Sequence, residues 1–415
     1  MGMRLGPGRI AAAFAAVAAV LTAIVAISMG LPAPIPARGT GTAGGSSLAR
    51  ASLLLPSATP SPSIGPSHSP AASQTTAAGA PALPPCPRET EHFQAGYRAY
   101  HTYSELCRTL VAAAAAHPDI ARLASIGQSW QGRELFEMEI SSHLADGTHP
   151  PGVLFEGGTH GLEHLSVEMP LAIMGWLLDG FGIDPTVTRL VQTRAIFLVF
   201  DVNPDGAASD IAGGRFHEWR KNRQPNANGT IGTDLNRNYA NHWGCCGLVS
   251  SKPGSSYFRG ATPFSAPETT AIRDFVDGLV FDGRQEIRAA ISFHASGRLI
   301  LWPYGYTRAA TPSDMTAADH VVLVALAKHM ANLDGYKAEQ ASELYVDSGT
   351  ARDWLFGAQG IYAFTVELGT GTYQRSAAIA PETARNRSAV LYLIEMAGCP
   401  DRAIDAGTAP MPVCP

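Results

Sequence analysis

Short apolar runs that end in charged or metal-liganding side chains, scattered over more than two hundred positions, constrain this chain more than any other feature. Val153-Leu154-Phe155-Glu156 passes through Gly157-Gly158 into His160-Gly161-Leu162-Glu163, Ala289-Ala290-Ile291-Ser292-Phe293 delivers His294, and Ala363-Phe364-Thr365-Val366 delivers Glu367. Runs of this length bounded by glycine and polar residues read as buried strands, and the stretch 165–178 after the first of them reads as a helix. Ala195 to Phe200 is a further strand, closed by the loop signal Asp201-Val202-Asn203-Pro204-Asp205-Gly206. In open α/β sheets, ligands gather beyond the carboxyl ends of the strands. The predicted fold is therefore α/β, with a mixed, mainly parallel central sheet and helices on both faces.

The residues at those strand ends have the chemistry of a zinc site. Catalytic zinc takes three protein ligands from His, Glu, Asp or Cys and keeps a fourth position open. His160 and Glu163, three apart at the expected start of a helix, lie on one side of its opening turn, and His294 supplies a third donor. Alone, a His and a Glu at this spacing are more often solvated. Taken singly, Arg220 and Arg223 read as a solvated turn, Arg237 beside Asp234 as a surface ion pair, and Tyr345 as a surface aromatic. The order of motifs changes that weight, because Trp219-Arg220-Lys221-Asn222-Arg223, Asp234-Leu235-Asn236-Arg237-Asn238-Tyr239 and Trp302-Pro303-Tyr304-Gly305-Tyr306 all fall at or between the strand ends. His160-Gly161-Leu162-Glu163-His164 also fits a pattern in which both histidines bind zinc and the glutamate is the base, but that leaves the downstream motifs unexplained.

From about residue 97 to 395 the chain resembles the zinc carboxypeptidases of the funnelin family, similar to pancreatic carboxypeptidase A and its bacterial relatives. The resemblance implies an eight-stranded sheet, one Zn²⁺ held by His160, Glu163 and His294, and Glu367 as general base and acid. It implies that Arg220 polarises the scissile carbonyl, that Asn236, Arg237 and Tyr345 bind the terminal carboxylate of a peptide, and that Asp234 orients His160. A planar guanidinium suits a carboxylate because it can meet both oxygens. Arg352 matches the base of the pocket for the C-terminal side chain. There it either favours glutamate or aspartate or pairs with a neighbour such as Asp353 or Asp347, since a buried charge without a partner is costly. The chain departs from the family at Gly161-Leu162, His217 and Ala295-Ser296, which puts the subsites upstream of the cut in doubt.

Residues 1–30 carry Arg4 and Arg9 ahead of the uncharged apolar run 10–30, long enough to span a bilayer, and read as a signal peptide or N-terminal membrane anchor. Residues 31–85 hold 11 of the 30 prolines with no aromatic or acidic residue, the composition of a disordered linker. That segment stands where digestive relatives carry a folded inhibitory prodomain, so no such zymogen is expected. Residues 86–415 suffice for one catalytic domain with a full core. Ser265-Ala266-Pro267-Glu268 reads as a capping box before a helix over 269–279. Six cysteines suggest disulfides in an exported chain; Cys86 with Cys107 and Cys399 with Cys414 are the preferred pairs, while Cys245 and Cys246 are harder to place. A net charge of −5 gives no reason to expect nucleic acid. The expectation is a monomer, secreted or tethered to the outer face of the membrane, acting on peptide C-termini. The alternatives are an exported cell-wall peptide amidase cutting γ-glutamyl or diamino acid bonds, and a zinc-fold binding protein without catalysis.

Overall fold

The computed structural model describes residues 83–88 and 90–404, all within one compact unit, Gln74–Pro415. The expected leader and most of the linker lie outside the described residues. Ten strands alternate with helices: β1 Ala121–Gln128, β2 Glu134–Ile140, β3 Gly152–Glu156, β4 Ala195–Val199, the small hairpin β5 Val280–Phe281 and β6 Arg284–Gln285, β7 Ile287–His294, β8 Leu299–Trp302, β9 Lys337–Gln340 and β10 Tyr362–Glu367. The helices are α1 Tyr103–Ala116, α2 Leu165–Gly180, α3 Pro185–Thr193, α4 Pro204–Asp210, α5 Pro267–Gly278, α6 Ala317–Asp334, α7 Ala351–Gly357 and α8 Ile379–Ala397, with one further helical turn at Ala341–Leu344.

Eight strands form one sheet in the order β1-β2-β4-β3-β7-β10-β8-β9. The centre, β4-β3-β7-β10, is parallel throughout, whereas β1, β2 and the β10-β8 pair are antiparallel. The expected mixed, mainly parallel sheet is observed. Strand alternation divides the core in two. Val153 and Phe155, Ile196 and Leu198, Ile291 and Phe293, and Phe364 and Val366 pack on one face with α2, α3, α6 and α8. Leu154, Phe197, Ala290 and Ala363 pack on the other with α5 and α7, through Ile272, Val276, Ala351, Trp354 and Leu355. Fully burying each such aliphatic or aromatic side chain contributes about 1.5–3 kcal/mol, so these two layers fix the sheet.

Beyond the carboxyl end of β3 the chain turns back over β4 on one side, while β7 joins β3 on the other. Such a switch point opens a crevice. Two local expectations differ from what is found. Helix α2 begins only at Leu165, so His160 and Glu163 lie in a turn ahead of it, closed by the Glu163 N–H donating to the His160 carbonyl at 3.0 Å. The capping box at Ser265 does not form: Ala266 is the cap residue of α5 and makes no side-chain cap bond. Glu268 is fully buried and instead accepts from the Trp130 N–H and from Asn222, which removes it from the helix terminus. Disulfide Cys86–Cys107 ties the start of the described chain to α1, and Cys245 pairs with its neighbour Cys246. Cys399 is disulfide-bonded, and Cys414, its expected partner, lies outside the described residues. No helix among the described residues is long and apolar enough to cross a membrane.

Candidate active site

Register brings the strand-end residues together. Glu367 and His294 are paired positions on the parallel neighbours β10 and β7, at their carboxyl ends. Alternation puts both on the sheet face that carries α5 and α7. The turn after β3 meets them from the side. Gly158 adopts φ +72°, and a side chain there would run into Asp201, so the exit turn accepts only glycine without rearrangement. The Gly161 N–H donates to the Arg220 carbonyl at 3.1 Å, which joins this turn to the Arg220 segment.

His160, Glu163 and His294 are buried and converge. His160 Nδ1 lies 2.8 Å from Glu163 Oε1, His294 Nδ1 lies 3.0 Å from Glu163 Oε2, and the two Nδ1 atoms are 3.1 Å apart. Among the described residues this is the one group of three with metal-ligand geometry. Tetrahedral zinc with bonds of about 2.0–2.1 Å sets ligand atoms roughly 3.3–3.4 Å apart, close to the spacings found. Two imidazole nitrogens and a carboxylate that converge this closely offer three ligand atoms to one cation. The donor set therefore fits Zn²⁺. Burial alone would push the Glu163 carboxyl up, but the adjacent His160 and His294 hold it well below the usual carboxylate range. His164 turns away from this group, with Nε2 2.9 Å from Asp210 and its ring edge-on to Phe93, so it packs and does not ligate. Asp210 also accepts from Tyr373 and from the Trp219 N–H.

Asp234 connects the turn to the arginine. Its Oδ1 lies 3.2 Å from His160 Nε2 and accepts from the Asn236 N–H, while Oδ2 accepts from Arg220 Nε at 3.1 Å and Nη2 at 3.0 Å. Burial opposes charge on Asp234, yet Arg220 first and then His160 and Arg237 hold its carboxyl well below the ordinary range. Arg220 keeps Nη1 toward Glu163, 3.8 Å from Oε1. Glu367 has the opposite balance: burial pushes it up to about 7, nearby Glu163 adds to that, and His294, Arg220 and Arg352 oppose it.

Arg237 is almost completely buried. Nε donates to the Leu248 carbonyl, Nη1 donates to the Asn236 carbonyl and lies 3.5 Å from Asp347, and Nη2 has no hydrogen-bond partner among the described residues. Gly349, at φ +73°, lets the loop bearing Tyr345 press on the Arg237 carbonyl; a Cβ there would come within 2.6 Å of that oxygen. Tyr345 is half-buried within electrostatic reach of Arg237, Glu367 and Arg220. Arg352 is buried and paired, with Nε donating to Asp353 at 2.9 Å and Nη2 lying 3.4 Å from Asp347. Contacts and electrostatic reach thus link these residues and Asn236, whose Nδ2 lies 3.5 Å from His294 Nε2, into one cluster. Tyr257 was not anticipated: its ring lies under both Arg220, at 5.5 Å, and Arg237, at 5.9 Å. It stands in a loop without periodicity, and no spacing in the sequence marks it.

This combination, a His-Glu-His metal group at the switch point of an eight-stranded mixed sheet, defines a zinc-peptidase type of site. The profile of the zinc carboxypeptidase family matches residues 106–389, and the chain belongs to that family of hydrolases. It is 41% identical over 320 residues to a zinc carboxypeptidase of Saccharothrix mutabilis subsp. capreolus, covering 76% of this chain and 73% of the relative. It is 32% identical over 277 residues to carboxypeptidase A1 of Rattus norvegicus, covering 66% of this chain and 63% of that protein. Among solved structures, thrombin-activatable fibrinolysis inhibitor superposes with a TM-score of 0.66 at 27% identity, covering 72% of this chain and 74% of that one.

Proposed function

We propose that this protein removes the C-terminal residue from peptides, with His160, Glu163 and His294 holding the zinc. The observation that carries the reading is Arg237 Nη2, a buried cationic donor without a hydrogen-bond partner among the described residues, because leaving such a donor unpaired costs about 1–3 kcal/mol or more. A terminal carboxylate satisfies it, with Asn236 and Tyr345 at its side. Bound zinc would act as a Lewis acid and lower the pKa of a water to about 7. Glu367, whose proton affinity is set near neutrality by burial, takes the proton of the attacking water and returns it to the leaving amine. Arg220, held by Asp234, offers Nη1 toward the oxygen on which negative charge develops. Removing one such donor typically costs about 10²–10³ in rate.

For the leaving side chain, an acidic preference rests on Arg352. Only its Nε is held tightly; the contacts of Nη1 and Nη2 with Thr365, Asp347 and Thr350 are 3.3 to 3.5 Å long, weak enough to exchange for a carboxylate. Export, proposed from the apolar run 10–30 and from disulfide use, would be contradicted by finding the native protein only in the cytosolic fraction.

The test of the clamp compares a blocked dipeptide with its C-terminal amide. The acid should be cleaved and the amide not, and Arg237→Gln should raise KM for the acid by at least about tenfold. Equal cleavage of acid and amide would move the activity to another class.

A further inference from the structure

Asp347 is a buried carboxylate between two buried guanidiniums. Its Oδ1 lies 3.4 Å from Arg352 Nη2 and its Oδ2 3.5 Å from Arg237 Nη1. Both separations suit an ion pair and are too long for good hydrogen bonds. Asp353, in contrast, is fully committed, accepting from Arg352 Nε at 2.9 Å and from the Gly305 N–H at 2.9 Å. Asp347 packs against Gly305: its own N–H donates to the Gly305 carbonyl at 3.1 Å, and a side chain on Gly305 would collide with both Asp347 and Arg352. Arg352 also donates from Nη1 to Thr365, which lies two residues before Glu367 and so on the same face of β10. The cluster of Arg237, Asp347, Arg352 and Asp353 therefore lies just below the expected base, with two positive and two negative groups.

We propose that Asp347 is a specificity-determining residue, a resident counter-charge that moderates the attraction of Arg352 and Arg237 for substrate carboxylates. This rests on the reading that Arg237 receives the terminal carboxylate and Arg352 faces the leaving side chain. A C-terminal leucine brings one carboxylate to this cluster; a glutamate brings two, the second close to Asp347. Two like charges roughly 6 Å apart at an effective dielectric constant of about 20 repel strongly enough to change an equilibrium about a hundredfold before screening and relaxation. Asp347 thus opposes acidic residues while Arg352 draws them.

The experiment measures kcat and KM for blocked dipeptides ending in Glu, Leu and Lys, using the zinc-loaded full chain as wild type, Asp347→Asn, Arg352→Gln and the double variant. Asp347→Asn should raise the Glu-to-Leu ratio of kcat/KM by about tenfold or more, mainly through a lower KM for the Glu substrate, and should lower activity on Lys. In the Arg352→Gln background the same change should shift the Glu-to-Leu ratio less than threefold. An unchanged or lower ratio in the single variant would overturn the proposal. Asp347→Ser, uncharged but still able to accept from Arg352, carries the same comparison if the asparagine variant does not fold. Absence of release by the wild type would instead refute the carboxypeptidase reading itself.

Discussion

Asp234 is buried with four donors on its two oxygens, and it joins His160, a proposed metal ligand, to Arg220, the proposed donor to the developing oxyanion. The neutral side chain of asparagine cannot serve both His160 and Arg220 as acceptor with the same strength. Groups that orient metal ligands typically account for 10- to 100-fold in affinity. Asp234→Asn should therefore bind zinc about 10- to 100-fold more weakly, measured by competition with a chromogenic chelator. Unchanged affinity would mean that the contact to His160 is incidental. Asp201 behaves differently because it has no cationic partner in contact among the described residues. Burial first, and the charge of Asp205 second, raise it from 3.8 to about 7, against a bond from the Asn203 N–H and the more distant Arg133. Across that interval the folded chain keeps a proton that the unfolded chain has released. Stability contributed by this group is complete below about pH 3.8 and is lost as pH rises through 7. Asp201→Asn should flatten that slope, so that its melting temperature relative to wild type is higher at pH 8 than at pH 5. A pH-independent difference would contradict the assignment.

At the scale of elements, the turn after β3 and the loop 345–350 matter more than any helix. Gly349→Ala places a Cβ 2.6 Å from the Arg237 carbonyl in a positive-φ conformation, and moving the loop displaces Tyr345 and Asp347 together. The expected result is a rise in KM of about tenfold or more with the secondary structure retained; wild-type KM would show that the loop adapts freely. Disulfide Cys86–Cys107 spans a separation of 21 residues, for which loop-closure entropy gives about 3 kcal/mol. Replacing both cysteines by serine should lower the melting temperature by several degrees and leave kcat unchanged, since the bridge is remote from the crevice in the sequence and in its contacts. An unaltered melting temperature would show that α1 is anchored by packing alone, through Leu106 and Leu110 in the core.

Over the whole molecule, strand ends were legible in the sequence because a fully buried strand needs an unbroken apolar run, and the polar residue that stops it is the one delivered to the crevice. His294 and Glu367 are of that kind, and the register of β7 and β10 makes them neighbours. The pair His160 and Glu163 was legible as ligands but not as a turn, because the same three-residue spacing serves a helix face and an i to i+3 turn. The capping signal at Ser265 misled for a tertiary reason, since Trp130 and Asn222 claim Glu268 from elements distant in the chain. The pairing of Arg352 with Asp353 and Asp347 was legible from proximity in sequence, but Tyr257 and the second pairing of Asp347, with Arg237, were not, because aromatic support beneath arginines and a shared counter-charge leave no periodic trace.

The central claim is that His160, Glu163, His294 and Glu367 form one zinc-dependent exopeptidase centre. The most direct test is release of the terminal residue from blocked dipeptides ending in Glu, Leu, Phe and Lys, with and without chelator, alongside Glu367→Gln with its zinc content measured. The account predicts chelator-sensitive release restored by zinc, and a Glu367→Gln protein that keeps its zinc but loses at least about 10²-fold in kcat. Chelator-resistant release, or full activity in Glu367→Gln, would contradict it.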